Sequence, residues 1–138
     1  MRIAAVISDV WSIYELLNDR GDAVLSGVRE DEMSACLAFL AKVSVHGPAS
    51  LPDNRSHHVS TDEPKIWQFD VTAKLRLLWF YDAGKLVVVS HCFYKQGGKK
   101  NTTPRELVEA AQSVFRQYFA DKANGNLQIE DGAEDEDQ

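Results

Sequence analysis

From Ile66 onward the apolar residues fall into a period of two. Trp67, Phe69 and Val71 alternate with Gln68, Asp70 and Thr72, the pattern of a half-buried strand. Two further apolar runs follow, Leu75 to Tyr81 and Leu86 to Tyr94. Between them lies Asp82-Ala83-Gly84-Lys85, where Gly84 can take the positive φ of a tight hairpin turn. Three strands joined by such short connections imply an antiparallel meander. The chain therefore has to contain a sheet, and the remaining segments must cover its apolar surface.

The segments before and after the meander supply that cover. Ile3 to Ile7 is a short apolar run that fits an opening strand, although pattern alone does not separate strand from helix over so few residues. Ser8 suits an N-cap, and Val10, Trp11, Tyr14 and Leu17 recur at three- and four-residue steps, which predicts a helix from about residue 9 to 18 ending at Gly21. A longer helix is expected over about 30–45, with Met33, Leu37, Leu40, Ala41 and Ser44 on one stripe and Gly47-Pro48 as its stop. Pro48, Pro52 and Pro64 mark 47–64 as a connecting loop. After the third strand comes a basic loop, Gln96 to Asn101. Thr102 or Thr103 then caps a last helix, with Pro104 and Glu106 in its first turn, running to about Asp121. The expected class is α+β: an N-terminal helical hairpin packed on a small twisted antiparallel sheet, then a C-terminal helix. One domain is expected over 1–122, followed by a disordered acidic tail over 123–138.

Composition narrows the function classes. A chain of 138 residues, 44% hydrophobic, can bury one core. Its apolar stretches are far below the ~18 residues of a membrane span, and the opening run meets Asp9 too early for a signal peptide, so a cytoplasmic protein is expected. Cys36 and Cys92 lack metal-type spacing and read as small buried hydrophobes; neither a metal nor a cofactor is expected. The net charge of −6 is unevenly spread. Residues 1–64 hold five basic and ten acidic side chains, residues 65–122 hold ten basic and five acidic, and residues 123–138 hold six acids and no base. A basic module thus sits between an acidic front and an acidic tail, which keeps a polyanionic ligand in play.

Four motifs in order sharpen this. Ile66-Trp67-Gln68-Phe69, then Leu75-Arg76-Leu77-Leu78-Trp79-Phe80-Tyr81, then Val87 through His91-Cys92-Phe93-Tyr94-Lys95, then Lys99-Lys100 with Thr103-Pro104-Arg105-Glu106 closely resemble the RelE/ParE/HigB toxin superfamily, above all its HigB-like, phage-derived members. The match runs from Ile66 to about Ala120, and the segments before it fit more loosely. The resemblance implies a RelE-like fold and a small cytosolic toxin, phage-derived, neutralised by a cognate antitoxin of helix-turn-helix type. It also implies an mRNA interferase that inhibits translation by cutting messenger RNA at the ribosome through the RNA's own 2′-hydroxyl.

Such chemistry requires cations around the scissile phosphate and groups to accept and donate protons, but no metal. On the resemblance, Arg76 takes the family's strand arginine and would stabilise the phosphorane with its planar fork; Lys95 at the strand end would assist it. His91 is the acid/base candidate, and Lys74, Lys99 and Lys100 are the RNA-backbone candidates. Each has a plainer reading. Arg76 alternates away from Leu75, Leu77 and Trp79, which alone suggests a surface salt bridge. By strict alternation His91 shares a face with Val87, Val89 and Phe93, which suits a packing role, and loop lysines are ordinarily just solvated. Trp67, Phe69, Trp79 and Phe80 read first as core. Three residues depart from the family pattern: Asp70 stands where the first strand ends in arginine, Gln68 replaces a glutamate, and Gln96 replaces the second lysine of the strand-end pair. Two alternatives follow, a catalytically silent binding module that keeps the fold for antitoxin or ribosome contacts, and a gyrase-inhibiting ParE-like toxin.

Overall fold

The protein was described by a computed structural model covering residues 1–96 and 102–130. Strand β1 (Arg2–Ser8) turns into β2 (Ser12–Leu17), and helix α1 (Met33–His46) follows. Then come β3 (Ser56–His58), β4 (Trp67–Asp70), β5 (Leu75–Asp82), β6 (Leu86–Tyr94), helix α2 (Arg105–Ala123) and β7 (Gln128–Glu130). All seven strands form one sheet in the order β3-β4-β5-β6-β2-β1-β7. The run β3 to β6 is antiparallel; β4 to β6 form the expected meander, whereas β3 lies inside 47–64, expected to be a loop, and becomes a strand by pairing with β4. Beyond it the sheet continues through two parallel pairings, β2 on β6 and β1 on β7. The architecture is mixed α+β, with a sheet larger than expected. Among the described residues there are two α-helices, and neither is long and apolar enough to cross a membrane.

The expected helical hairpin is absent, because the segment assigned to its first helix is β2. The three- and four-residue recurrence of Val10, Trp11, Tyr14 and Leu17 is coincidental; the operative period is two. Ile13 and Leu17 are buried on one side, while Tyr14 packs on the other. Tertiary pairing decides the matter, since β2 bonds β1 along one edge and β6 along the other. Ser8, expected as an N-cap, instead donates its hydroxyl to that of Ser12 across the turn.

The two helices cover opposite faces. On one, Cys36, Phe39, Leu40 and Val43 of α1 pack on Ile13, Phe69, Leu77, Trp79, Val87 and Val89. On the other, Ala111 and Tyr118 of α2 join Ile3, Leu78, Phe80 and Val88, with Phe115 and Phe119 alongside. Full burial of each large apolar side chain contributes about 1.5–3 kcal/mol. Phe69, Trp79 and Phe80 are core, as expected, and Trp67 is half-buried and stacked on Trp79. Cys36 is buried, Cys92 is half-buried, and both thiols are free. The β5–β6 turn takes positive φ at Gly84 (85°) and Lys85 (62°). Gly47 ends α1 at φ 86°, and a Cβ there would lie 2.8 Å from the Trp11 indole nitrogen, so the helix end and the start of β2 meet too closely for any side chain.

Two further expectations change at the C-terminal side. Neither Thr102 nor Thr103 caps α2: Pro104 occupies the N-cap position, and the Thr103 hydroxyl donates instead to the Gln68 side-chain oxygen. The segment from residue 123, expected to be disordered throughout, is ordered through Glu130. Residues 128–130 pair with β1, Gln128 donates its amide to the Met1 carbonyl at 2.9 Å, and Arg2 meets Glu130 at 3.3 Å. The domain boundary expected at residue 122 therefore moves past β7. Residues 131–138 lie outside the described residues.

Candidate nucleic-acid interface

The β5–β6 ladder positions most of the sequence-predicted residues. Its register sets Arg76 opposite Phe93 and Leu78 opposite His91. Leu78 and Phe93 both pack on the α2 side, so Arg76 and His91 belong to that face as well. The ladder shifts by one residue between Leu78 and Trp79, leaving Ser90 unpaired. That bulge corrects one expectation: His91 shares a face with Phe93 but not with Val87 and Val89, which point to the α1 side. Without the bulge the imidazole would be buried under α1.

His91 lies half-buried where β2 and β6 part. The two strands pair only as far as Glu15 and Val89. Beyond that a 3-10 turn, Val24–Gly27, fills the gap: the Glu15 carboxylate accepts the Leu25 amide at 2.8 Å, and the Cys92 thiol donates to the Val24 carbonyl at 3.3 Å. A cleft of about 450 Å³ remains, walled by Leu16, Asn18, Asp22, Ser26 and His91 among others. His91 Nδ1 is 3.0 Å from the Ser90 hydroxyl, which fixes the ring, while Nε2 makes no hydrogen bond among the described residues. Burial holds its pKa below the ordinary 6.5, so the ring is neutral at pH 7 and able to accept a proton.

Arg76 does not face solvent freely. Its side chain is only 11% exposed, and its Nε lies 3.3 Å from Asp70 Oδ1. Nη1 donates to the Thr72 and Leu75 carbonyls at 2.8 and 3.1 Å, and Nη2 to that of Ala73 at 3.2 Å. The guanidinium thus staples the β4–β5 turn. The residues read as departures from the family pattern complete this arrangement. Asp70 sits directly across from Arg76, Gln68 donates to Asp70 at 2.7 Å, and Thr103 donates to Gln68. An acid at position 70 serves as the arginine's counter-ion.

The stapled turn carries Lys74, which is exposed, and its carbonyl accepts the Lys95 amide at 2.7 Å. Two lysines, one just before β5 and one just after β6, are thereby brought to one rim. Arg29, which sequence reasoning missed, joins that end of the sheet: its guanidinium lies 3.9 Å over the Tyr94 ring, and its amide donates to the Tyr94 hydroxyl at 2.9 Å. No local signal couples residues 29 and 94; only the fold does. Lys99 and Lys100 lie outside the described residues. Among the described residues no group of histidines, cysteines and acids could hold a metal.

Comparison with protein families then gives a decisive match. The model of the family "Phage derived protein Gp49-like (DUF891)" covers residues 23–116. The chain belongs to that family. Gp49-like proteins are phage-derived and toxin-like, and the family is associated with the toxins of toxin–antitoxin pairs. The matched stretch of this Gp49-like chain holds α1, β3 to β6 and most of α2, and with them Lys74, Arg76, His91 and Lys95. β1, β2 and β7 fall outside it. No curated protein matches the sequence.

Proposed function

We propose that this protein is the toxin of a toxin–antitoxin pair and that it cleaves messenger RNA at the ribosome, in the cytoplasm, using the 2′-hydroxyl of the RNA as nucleophile. The observation that carries this reading is the half-buried His91 imidazole, with Nε2 uncommitted among the described residues, on the face of the sheet that leads to the Lys74–Lys95 rim. His91 accepts the 2′-hydroxyl proton as that oxygen attacks phosphorus. The bond to the 5′ oxygen breaks, leaving a 2′,3′-cyclic phosphate, and the departing oxygen takes a proton from water. Lys95 and Lys74 offset the growing phosphorane charge. Arg76 acts as a positioning residue, holding the turn that bears Lys74. A cognate antitoxin, of helix-turn-helix type by the resemblance, neutralises the protein.

A second reading draws on the same guanidinium. Four contacts already occupy Arg76, so a silent binding module that contacts an antitoxin or the ribosome is consistent with the geometry. Inducible expression with mapping of messenger 5′ ends separates the two. Growth arrest with codon-phased cuts, lost in His91→Ala and Lys95→Ala, supports the nuclease; expression without arrest selects the silent module. Arrest with DNA damage instead of cut messengers selects a gyrase poison.

A further inference from the structure

Helix α1 has the composition of a helix with no solvent side, yet among the described residues only one of its sides is covered. Between Met33 and His46 its charged complement is Lys42 and a terminal histidine, in a chain of which 26% is charged. Cys36, Phe39, Leu40, Val43 and Ser44 are buried. At 100° per residue the opposite side collects Ser34, Leu37, Ala38, Ala41 and Val45. Leu37 is 43% exposed and Val45 44%. Val10, 52% exposed, lies at the C-terminal end of the helix, because its neighbour Trp11 donates its amide to the Ser44 carbonyl and accepts the Ser44 hydroxyl, each at 2.8 Å. Single exposed apolar residues need no explanation, but a stripe of them along one helix does.

We infer that this face is covered by the same face of a second copy of the chain, the two α1 helices lying antiparallel about a two-fold axis. Charge argues for both the partner and the orientation. Exposed Glu30 and Asp31 stand just before the helix, and exposed Lys42 lies in its C-terminal half. A parallel copy would set like charges side by side. An antiparallel copy sets the acids of each chain near the lysine of the other and opposes the two helix dipoles. The contact is self-complementary, as a two-fold interface must be. Ser34, Ala38 and Ala41 let the backbones approach closely, while Leu37 and Val45 fill the flanks. The helix has 14 residues, so it is about 21 Å long and covers a few hundred Å² per copy. That is short of the ~800 Å² per partner of a standard stable interface, so the dimer dissociates on dilution, with a Kd on the order of 10–100 μM. None of the residues lining the His91 cleft belongs to α1, so association through its outward side leaves the cleft open.

Sedimentation velocity on the full chain from about 1 to 300 μM tests this. A monomer–dimer equilibrium is expected, with dissociation at least tenfold easier in Val45→Glu and in Lys42→Glu. Both positions are exposed, so circular dichroism and melting should match the parent. Adding Glu30→Lys and Asp31→Lys to Lys42→Glu should restore association. A monomer at every concentration overturns the inference. So does a dimer indifferent to Val45→Glu and Lys42→Glu, which would place the contact on another surface.

Discussion

Replacing Arg76 by alanine should destabilise the protein before it does anything else. The substitution removes four contacts at once: the Asp70 ion pair and the bonds to the carbonyls of Thr72, Ala73 and Leu75. Breaking a buried ion pair typically costs about 3–5 kcal/mol, and a buried acceptor left without a donor about 1–3 kcal/mol. Both figures need a discount here. Asp70 keeps its Gln68 donor and is 21% exposed, and the turn carbonyls can rehydrate. A net loss of about 2–4 kcal/mol remains. With a urea slope of about 1–3 kcal/mol per molar, the midpoint should fall by roughly 1–2 M. Urea unfolding followed by tryptophan fluorescence reads this directly. A cycle with Asp70→Asn should return a coupling of at least about 1 kcal/mol. A midpoint shift below about 0.3 M would refute the staple. If such a well-folded variant had also lost toxicity, the guanidinium would belong to the chemistry, contrary to the positioning role assigned here.

Three other outcomes are expected. Burial holds the His91 pKa below 6.5, so the unfolded chain binds a proton that the folded chain refuses; stability is full above that pH and falls as pH drops through it, and His91→Gln should flatten the decline in melts between pH 7.5 and 5. Gly27→Ala should cost about 1–3 kcal/mol, because the new Cβ would lie 2.9 Å from the Cys92 thiol, and a second change, Cys92→Ala, should recover most of the loss in the same urea assay. Removing residues 131–138, with the run Glu134 to Asp137, keeps β7 while deleting acids that start three strand positions, about 14 Å, from β6 and can span up to ~25 Å. RNA affinity should rise at low salt and converge with the parent at high salt; equal affinities at low salt would leave the acids without a role in binding.

The meander was legible because the alternation of Trp67, Phe69 and Val71 is followed by two short apolar runs closed by Asp82-Ala83-Gly84-Lys85, and both helices announced themselves by Gly47-Pro48 and Thr103-Pro104. β2 was not legible. Its residues satisfy a helical spacing by coincidence, and its decisive partner, Val87 to Val89 of β6, lies more than seventy residues along the chain. The bulge at Ser90 carries no composition signal, so the face of His91 was misassigned by one step. Arg76 is different, because a signal for its burial was present. A hairpin closing over 71–74 sets Asp70 opposite Arg76, and an acid across from an arginine reads as an ion pair more readily than as a lost cation.

The parallel seam between β2 and β6 also bears on how the chain reaches its native state. In the stretch that matches the Gp49-like family, β6 is the last strand, and Val87, Val88 and Val89 would form an open edge with strong β propensity. In the full chain β1 and β2 close that edge. During synthesis these strands emerge before β6 and can pair with each other at once, but the second edge of residues 12–15 has no partner until residues 86–89 are made. The hairpin is thus a ready cover for a segment prone to self-association. Loss of residues 1–20 should produce a protein whose first fault is insolubility, appearing before any change at His91 could be measured.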